Sequence, residues 1–160
     1  DRAARAEQVY VTFVEHLARV FTGTVESVAG AREAIDVLRQ RGVRVALNTG
    51  FDRDTTTLLL DALQWRQGVV DAVVCGDEVA QGRPAPYMIF RCMEATGITD
   101  VRKVVNAGDT VLDLQAGYNA GVALNIGVLS GAHGRDQMQS QPHTHLLDSI
   151  ADLPALLERR

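Results

Sequence analysis

Residues 103–128 read KVVNAGDTVLDLQAGYNAGVALNIGV, and this stretch decides the fold. Lys103–Ala107 is a short β-rich run and predicts a strand, Val111–Asn119 predicts a helix, and Ala123–Val128 predicts a second strand. Two strands joined through a helix run parallel, because a hairpin cannot connect them. Working upstream, Val43–Leu47 is another β-rich run that breaks at Asn48-Thr49-Gly50. A helix follows from Asp52 or Arg53, carrying Leu59 and Leu63 inward and stopping before Gly68. Val69–Val74 predicts a strand, Gly76–Pro84 a polar loop, and Pro86 opens a helix that runs to Thr96, with Ile89, Phe90 and Met93 on one side.

The same alternation extends to both ends. Val9, Phe13, Leu17 and Phe21 recur every four residues and predict one apolar helix face over residues 2–21. Ala31–Gln40 predicts a helix with Ala31, Ile35 and Leu38 inward and Gly42 as its left-handed stop. Downstream, Gly131–Pro142 reads as a mobile surface loop that includes His133. His145–Leu147 reads as an edge strand and Ile150–Leu157 as a closing helix. The fold class is therefore α/β, a mostly parallel sheet flanked by helices.

The chain has 160 residues, 46% of them apolar and 22% charged, which is one globular domain. Sixteen basic against 20 acidic residues give a net charge of −4, with no basic footprint for nucleic acid. No apolar run approaches the ~20 residues of a membrane span. Cys75 and Cys92 lack metal-ligand spacing and suit a reduced, cytoplasmic protein. Fifteen of the 16 basic residues are arginine, and Lys103 is the only lysine.

Three polar clusters follow three of the expected strands: Asn48-Thr49-Gly50, Gly82-Arg83-Pro84, and Gly108-Asp109-Thr110-x-x-Asp113. Ligands of open parallel sheets bind at the carboxyl ends of the strands. A threonine hydroxyl and the Gly50 N–H at a helix start suit phosphate oxygens, Arg83 can grip them with a forked pair of hydrogen bonds, and Asp109 is a hard ligand suited to Mg²⁺. Taken singly, Thr49 reads as a helix cap, Arg83 as a solvated cation, Asp109 as an N-cap and Asp113 as a first-turn acid. Their order along the chain carries the stronger reading.

With these motifs the chain resembles the haloacid dehalogenase superfamily of phosphoryl-transfer enzymes over residues 24–158. The markers are Leu47-Asn48-Thr49-Gly50, the run from Gly82 to Met88, the acidic Gly108–Asp113 motif, and Ala116–Gly121. Arginine at position 83, followed by Pro-x-Pro-x-Met, resembles the phosphonatase-like branch. The resemblance implies a Rossmann-like core at 25–160, with residues 1–24 the last part of a helical cap. It implies that Thr49 and Gly50 bind the phosphoryl group, that Arg83 stabilises its charge, that Asp109 holds Mg²⁺, and that Asp113 orients that site. The implied partner is a small phosphorylated metabolite, with a homodimer compatible.

The family's paired aspartates, an Asp-x-Asp-Gly-Thr segment on the first strand, do not occur here. Asp52-Arg53-Asp54 follows Thr49 and reads as a helix start. The family's missing strand belongs between 43–47 and 103–107, so the expectation is an incomplete core, inactive by itself; a non-catalytic binding or assembly module is the alternative. Residues 1–30 contain no lysine for a Schiff base, which favours phosphate esters over C–P cleavage. His143-x-His145 lacks a third metal ligand, His16 reads as exposed, Trp65 as packing, and Cys75 as buried.

Overall fold

A computed structural model describes residues 2–21 and 25–159, without the side chains of residues 2–4, 6, 7, 18, 20 and 21. The elements in chain order are α1 (Arg2–Phe21), α2 (Ala31–Gln40), β1 (Ala46–Asn48), α3 (Arg53–Ala62), β2 (Ala72–Val74), α4 (Tyr87–Thr96), β3 (Val105–Gly108), α5 (Val111–Ala120), β4 (Leu124–Val128), α6 (Arg135–Met138), β5 (His145–Leu147) and α7 (Leu153–Glu158). Three short 3₁₀ turns stand at Gly76–Glu78, Val101–Lys103 and Ile150–Asp152. No described helix is long and apolar enough to cross a membrane.

Every strand pairing is parallel, as the alternation requires, but the strands form two sheets rather than one. β1 pairs with β2, and β3, β4 and β5 form a second sheet in that order. β4 has a neighbour on each side and is buried along its whole length, whereas Ala46–Asn48 of β1 and Val105 and Ala107 of β3 are only half-buried. The edges of β1 and β3 border an apolar cavity of about 510 Å³ whose walls include Val45, Leu47, Val105, Ala107, Ile89 and Leu153. α2, α4, α7 and the Trp65 side of the fold contribute further walls. The cavity is thus a slot between the two sheets, bordered by the edges of β1 and β3, which have no ladder partner on that side among the described residues.

The strands are shorter than the β-rich runs suggested. Val43 and Arg44 lie outside β1 and are exposed, and Lys103 belongs to a 3₁₀ turn before β3. Asp71 enters β2 as a side-chain anchor: its carboxylate accepts the Val45 N–H at 2.8 Å and pairs with Arg44 at 3.1 Å and Arg39 at 3.4 Å. The Val45 N–H, ahead of the two arginines, holds the Asp71 carboxyl below the usual carboxylate range. A lowered folded pKa means that this stabilisation is present above the unfolded aspartate value and lost as pH falls through the folded one. Urea melts of wild type and Asp71→Asn should therefore differ at pH 7, wild type being the more stable, and the gap should shrink as pH falls below the ordinary aspartate range. A gap that does not change between pH 7 and the acid limit of folding would show that the carboxylate charge plays no part in the anchor.

The apolar face read on α1 is largely open to solvent: Val9, Tyr10, Val11 and Phe13 are 44–65% exposed. The helix touches the rest of the fold near α3, where the Phe13 ring lies 6.5 Å from that of Phe51 and the Tyr10 hydroxyl donates to Asp52. The Gly131–Pro142 segment is mostly exposed, yet it contains α6, and Met138 is 0% exposed beneath it. A buried methionine anchors this segment, and composition gave no sign of it.

Candidate active site

Asn48-Thr49-Gly50 and Gly108-Asp109-Thr110 lie at the carboxyl ends of β1 and β3, which they end and follow, while Gly82-Arg83-Pro84 stands further along the loop after β2, beyond the 3₁₀ turn at Gly76–Glu78. Beyond β1, the Thr49 N–H donates to Val74 O at 3.0 Å, extending the parallel pairing one residue, and Thr49 Oγ1 accepts the Phe51 N–H at 3.2 Å. The loops after β1 and β2 lie against one another. The Gly76 N–H donates to Phe51 O at 2.9 Å, and a Cβ placed on Gly76 would sit 2.7 Å from Gly50 O. Glycine is the residue that allows this approach.

Arg83 reaches into the same place. Its Nη2 would lie 3.1 Å from a Cβ at Gly50, and its Nη1 donates to Asp113 Oδ1. The Asn119 side chain donates to Pro84 O at 2.9 Å, pinning the Arg83 loop onto α5. Arg83, Gly50 and Asp113 are therefore neighbours despite 33 and 30 residues of separation along the chain. The sequence separation of Thr49, Arg83 and Asp109 is bridged by the sheet, whose carboxyl edge collects all three loops.

Asp113 is buried, and both of its oxygens are engaged. Oδ1 takes Arg83, while Oδ2 accepts the Thr110 N–H at 3.0 Å and the Thr110 hydroxyl at 2.6 Å. Thr110 and Asp113 form a reciprocal cap at the start of α5. Asp109 is oriented differently: Oδ2 accepts the Ala132 N–H at 2.8 Å, and among the described residues Oδ1 accepts no hydrogen bond. One carboxylate oxygen is a fitting share of a Mg²⁺ site, since that ion ordinarily keeps several waters and takes phosphate oxygens besides one or two carboxylates. Among the described residues no group of three or more His, Cys, Asp or Glu side chains is gathered to hold a metal.

The remaining candidates are accounted for by local chemistry. Asp52 caps α3, accepting the Thr55 N–H at 2.7 Å on one oxygen and Tyr10 on the other. Cys75 is fully buried, and burial pushes its thiol up, away from a nucleophilic thiolate. Glu78 beside it is held below the usual carboxylate range by Arg53, 2.6 Å away, and by the Cys75 N–H at 2.8 Å. His16 is exposed, as read. His133 does not ride on a free loop: its Nδ1 accepts the Val111 N–H at 3.0 Å.

Residue-by-residue reading missed the buried amides that support this edge. Asn106, on β3, donates to Asp113 O and to Asn125 Oδ1, both at 3.0 Å. Asn125, on β4, donates to Leu114 O at 2.7 Å and Pro142 O at 2.8 Å. A Cβ at Gly117 would fall 2.0 Å from Asn125 Oδ1, so α5 can lie on the amide pair only with glycine there. A lone asparagine inside each of two otherwise apolar strands was the legible signal. A buried amide persists there because its hydrogen bonds are satisfied.

Comparison with known proteins agrees with this geometry. The family model for haloacid dehalogenase-like hydrolases matches residues 2–121. The phosphonoacetaldehyde hydrolase of Parabacteroides distasonis is 28% identical, with 96% of this chain and 66% of that protein covered. The phosphonoacetaldehyde hydrolase of Vibrio cholerae is also 28% identical, over 98% of this chain and 66% of its own length. The chain thus spans 66% of the length of these curated relatives. Among solved structures, a phosphonoacetaldehyde hydrolase-like protein from Oleispira antarctica shares the fold at TM-score 0.81 and 22% identity, covering 96% of this chain and 63% of that one. CbbY from Rhodobacter sphaeroides, solved in complex with phosphate, shares it at TM-score 0.78 and 22% identity, covering 92% and 65%. With the matched span, the parallel sheets and the ordered carboxyl-edge motifs in agreement, the chain belongs to the haloacid dehalogenase-like hydrolase family, as a phosphonatase-like member.

Proposed function

We propose that this chain is the greater part of a cytoplasmic Mg²⁺-dependent phosphohydrolase acting on a small phosphorylated metabolite. The observation that carries the reading is the meeting of Gly50, Arg83 and Asp113 at the carboxyl edge. There the Thr49 hydroxyl and Gly50 N–H bind phosphoryl oxygens, and the Arg83 guanidinium neutralises charge that grows on them as the P–O bond breaks. Asp113 holds Arg83 in place. Asp109 would hold Mg²⁺, which when bound would supply charge neutralisation at the phosphoryl group. Helix α1 forms the end of a cap over this edge, supported by the contacts of Tyr10 and Phe13 with Asp52 and Phe51; residues 1 and 22–24 of the expected cap at 1–24 lie outside the described residues.

The carboxylate that attacks phosphorus is not assigned to any residue of this chain. The slot between β1 and β3 supports its arrival on one further strand, running parallel to both and ending among Thr49, Arg83 and Asp109. Such a strand would be apolar on both faces, since helices cover both. Within this chain Lys103 is the single lysine and precedes β3, at the amino end of the strands opposite the site, so its residues fit phosphate-ester hydrolysis, and a phosphonate-type substrate would need a Schiff-base lysine from outside them.

Two reporters line the slot, the single tryptophan Trp65 and Cys92. Burial pushes the Cys92 thiol up to about 11. A peptide of six β-branched residues followed by Asp-x-Asp-Gly-Thr, titrated into the chain, should shift Trp65 emission and slow alkylation of Cys92 by about tenfold or more. The same peptide with two lysines among its apolar residues should do neither, because unpaired charges do not enter an apolar slot. Unchanged emission and unchanged alkylation with the apolar peptide would remove the missing-strand reading.

A further inference from the structure

Asp109 does not depend on solvent to set its side chain. The loop after β4 folds over it: Ala132 donates its N–H to Oδ2 at 2.8 Å, and His133 donates its N–H to the Asp109 carbonyl at 3.1 Å. Gly131 comes so close that a Cβ there would stand 2.1 Å from Oδ2 and 2.2 Å from the Asp109 Cβ. His133 then closes the ring. Its Nδ1 accepts the N–H of Val111, the first residue of α5, at 3.0 Å. That N–H is one of the donors a helix start leaves without an internal partner, so an imidazole acceptor from a remote loop both satisfies it and ties the loop down.

We propose that Gly131-Ala132-His133 is a positioning loop for Asp109. Ala132 fixes one carboxylate oxygen, and the other, Oδ1, is thereby the oxygen presented to a divalent cation. Gly131 permits the approach, and His133 clamps the loop to α5. None of the three touches substrate; they act through Asp109. A carboxylate already fixed in one orientation loses less freedom on taking a ligand, which strengthens binding without adding a contact. The proposal rests on the reading of Asp109 as the cation-binding acid.

The loop is tested first without activity, by amide hydrogen exchange in the 160-residue chain. Asp109→Ala should speed exchange at Ala132 by about tenfold or more while leaving Val111 protected. His133→Ala should speed exchange at both, and His133→Asn, whose side-chain oxygen can replace Nδ1 as acceptor, should restore both. Exchange at Ala132 that ignores Asp109→Ala would overturn the proposal.

The consequence for cation binding is read in the chain joined to a strand-bearing upstream segment taken from a full-length relative. Gly131→Ala and His133→Ala should raise the Mg²⁺ concentration for half-maximal turnover about tenfold, with turnover at saturating Mg²⁺ changed less than threefold. His133→Asn should return it to within threefold of wild type. Half-saturation unmoved by both variants, or His133→Asn behaving like His133→Ala at an unchanged melting temperature, would overturn the proposal. If Asp109→Asn leaves the Mg²⁺ requirement intact, the reading of Asp109 has failed instead, whatever the loop variants do.

Discussion

The 160-residue chain should hydrolyse p-nitrophenyl phosphate no faster than buffer, with or without Mg²⁺, and should gain Mg²⁺-dependent turnover when a strand-bearing upstream segment from a full-length relative is joined to it. The reason is chemical. Thr49, Gly50 and Arg83 can hold a phosphoryl group and Asp109 can share a cation, but with Asp113 bound to Arg83 and Thr110 these roles leave no carboxylate assigned to accept the phosphoryl group covalently or to exchange a proton with the leaving oxygen. Groups that bind substrate and transition state alike give affinity and little rate. Asp52 cannot substitute, because its oxygens cap α3 and receive Tyr10. In the restored chain, Asp109→Asn should lower turnover by about 10²-fold or more, the scale on which a single preorganised electrostatic contact acts. The assay is p-nitrophenol release by both chains, with a chelated control. Clear Mg²⁺-dependent turnover by the short chain would mean that the nucleophile is present and misidentified. A restored chain inert on a broad panel of phosphate esters would favour a non-catalytic binding module.

Arg83→Ala should be costly twice over. The Arg83 side chain is 26% exposed and that of Asp113 only 9%, so the substitution strands a largely buried carboxylate with Thr110 as its remaining side-chain partner. Breaking a fully buried pair costs about 3–5 kcal/mol; with Arg83 partly solvated, a loss of about 2–3 kcal/mol is expected. For a domain of this size that lowers the melting temperature by roughly 4–12 °C. Asp113→Asn in the same background should recover much of it, since the stranded charge is then gone. Inorganic phosphate should also bind more weakly, by about tenfold or more, the worth of a charge-assisted hydrogen bond. Arg83→Lys separates the two effects: it keeps the charge beside Asp113 but lacks the planar fork, so stability should fall less than phosphate affinity. Arg83→Ala within 0.5 kcal/mol of wild type would contradict the account of the pair.

Much of this architecture was legible in residue order alone. The parallel arrangement followed from strand runs alternating with helical periods, and the carboxyl-edge location of Asn48-Thr49-Gly50 and Gly108-Asp109-Thr110 followed from each motif standing directly after a strand. The resemblance also carried the expectation that the family's first strand has no counterpart in this chain; in the structure β1 and β3 stand in separate sheets. These features are local, or are fixed by chain order, so periodicity and spacing report them.

Tertiary structure decided the rest. That Arg83 meets Asp113 rather than solvent, that Oδ2 of Asp109 is taken by Ala132, and that His133 caps α5 depend on loops 22 to 30 residues apart, whose meeting no local pattern encodes. The exposed Val9 and Phe13 of α1 make the same point from the other side. A four-residue apolar period identifies a helix face but not what covers it. Periodicity reports the propensity of one segment, whereas contact is a property of two, and it is set only when the sheet brings their ends together.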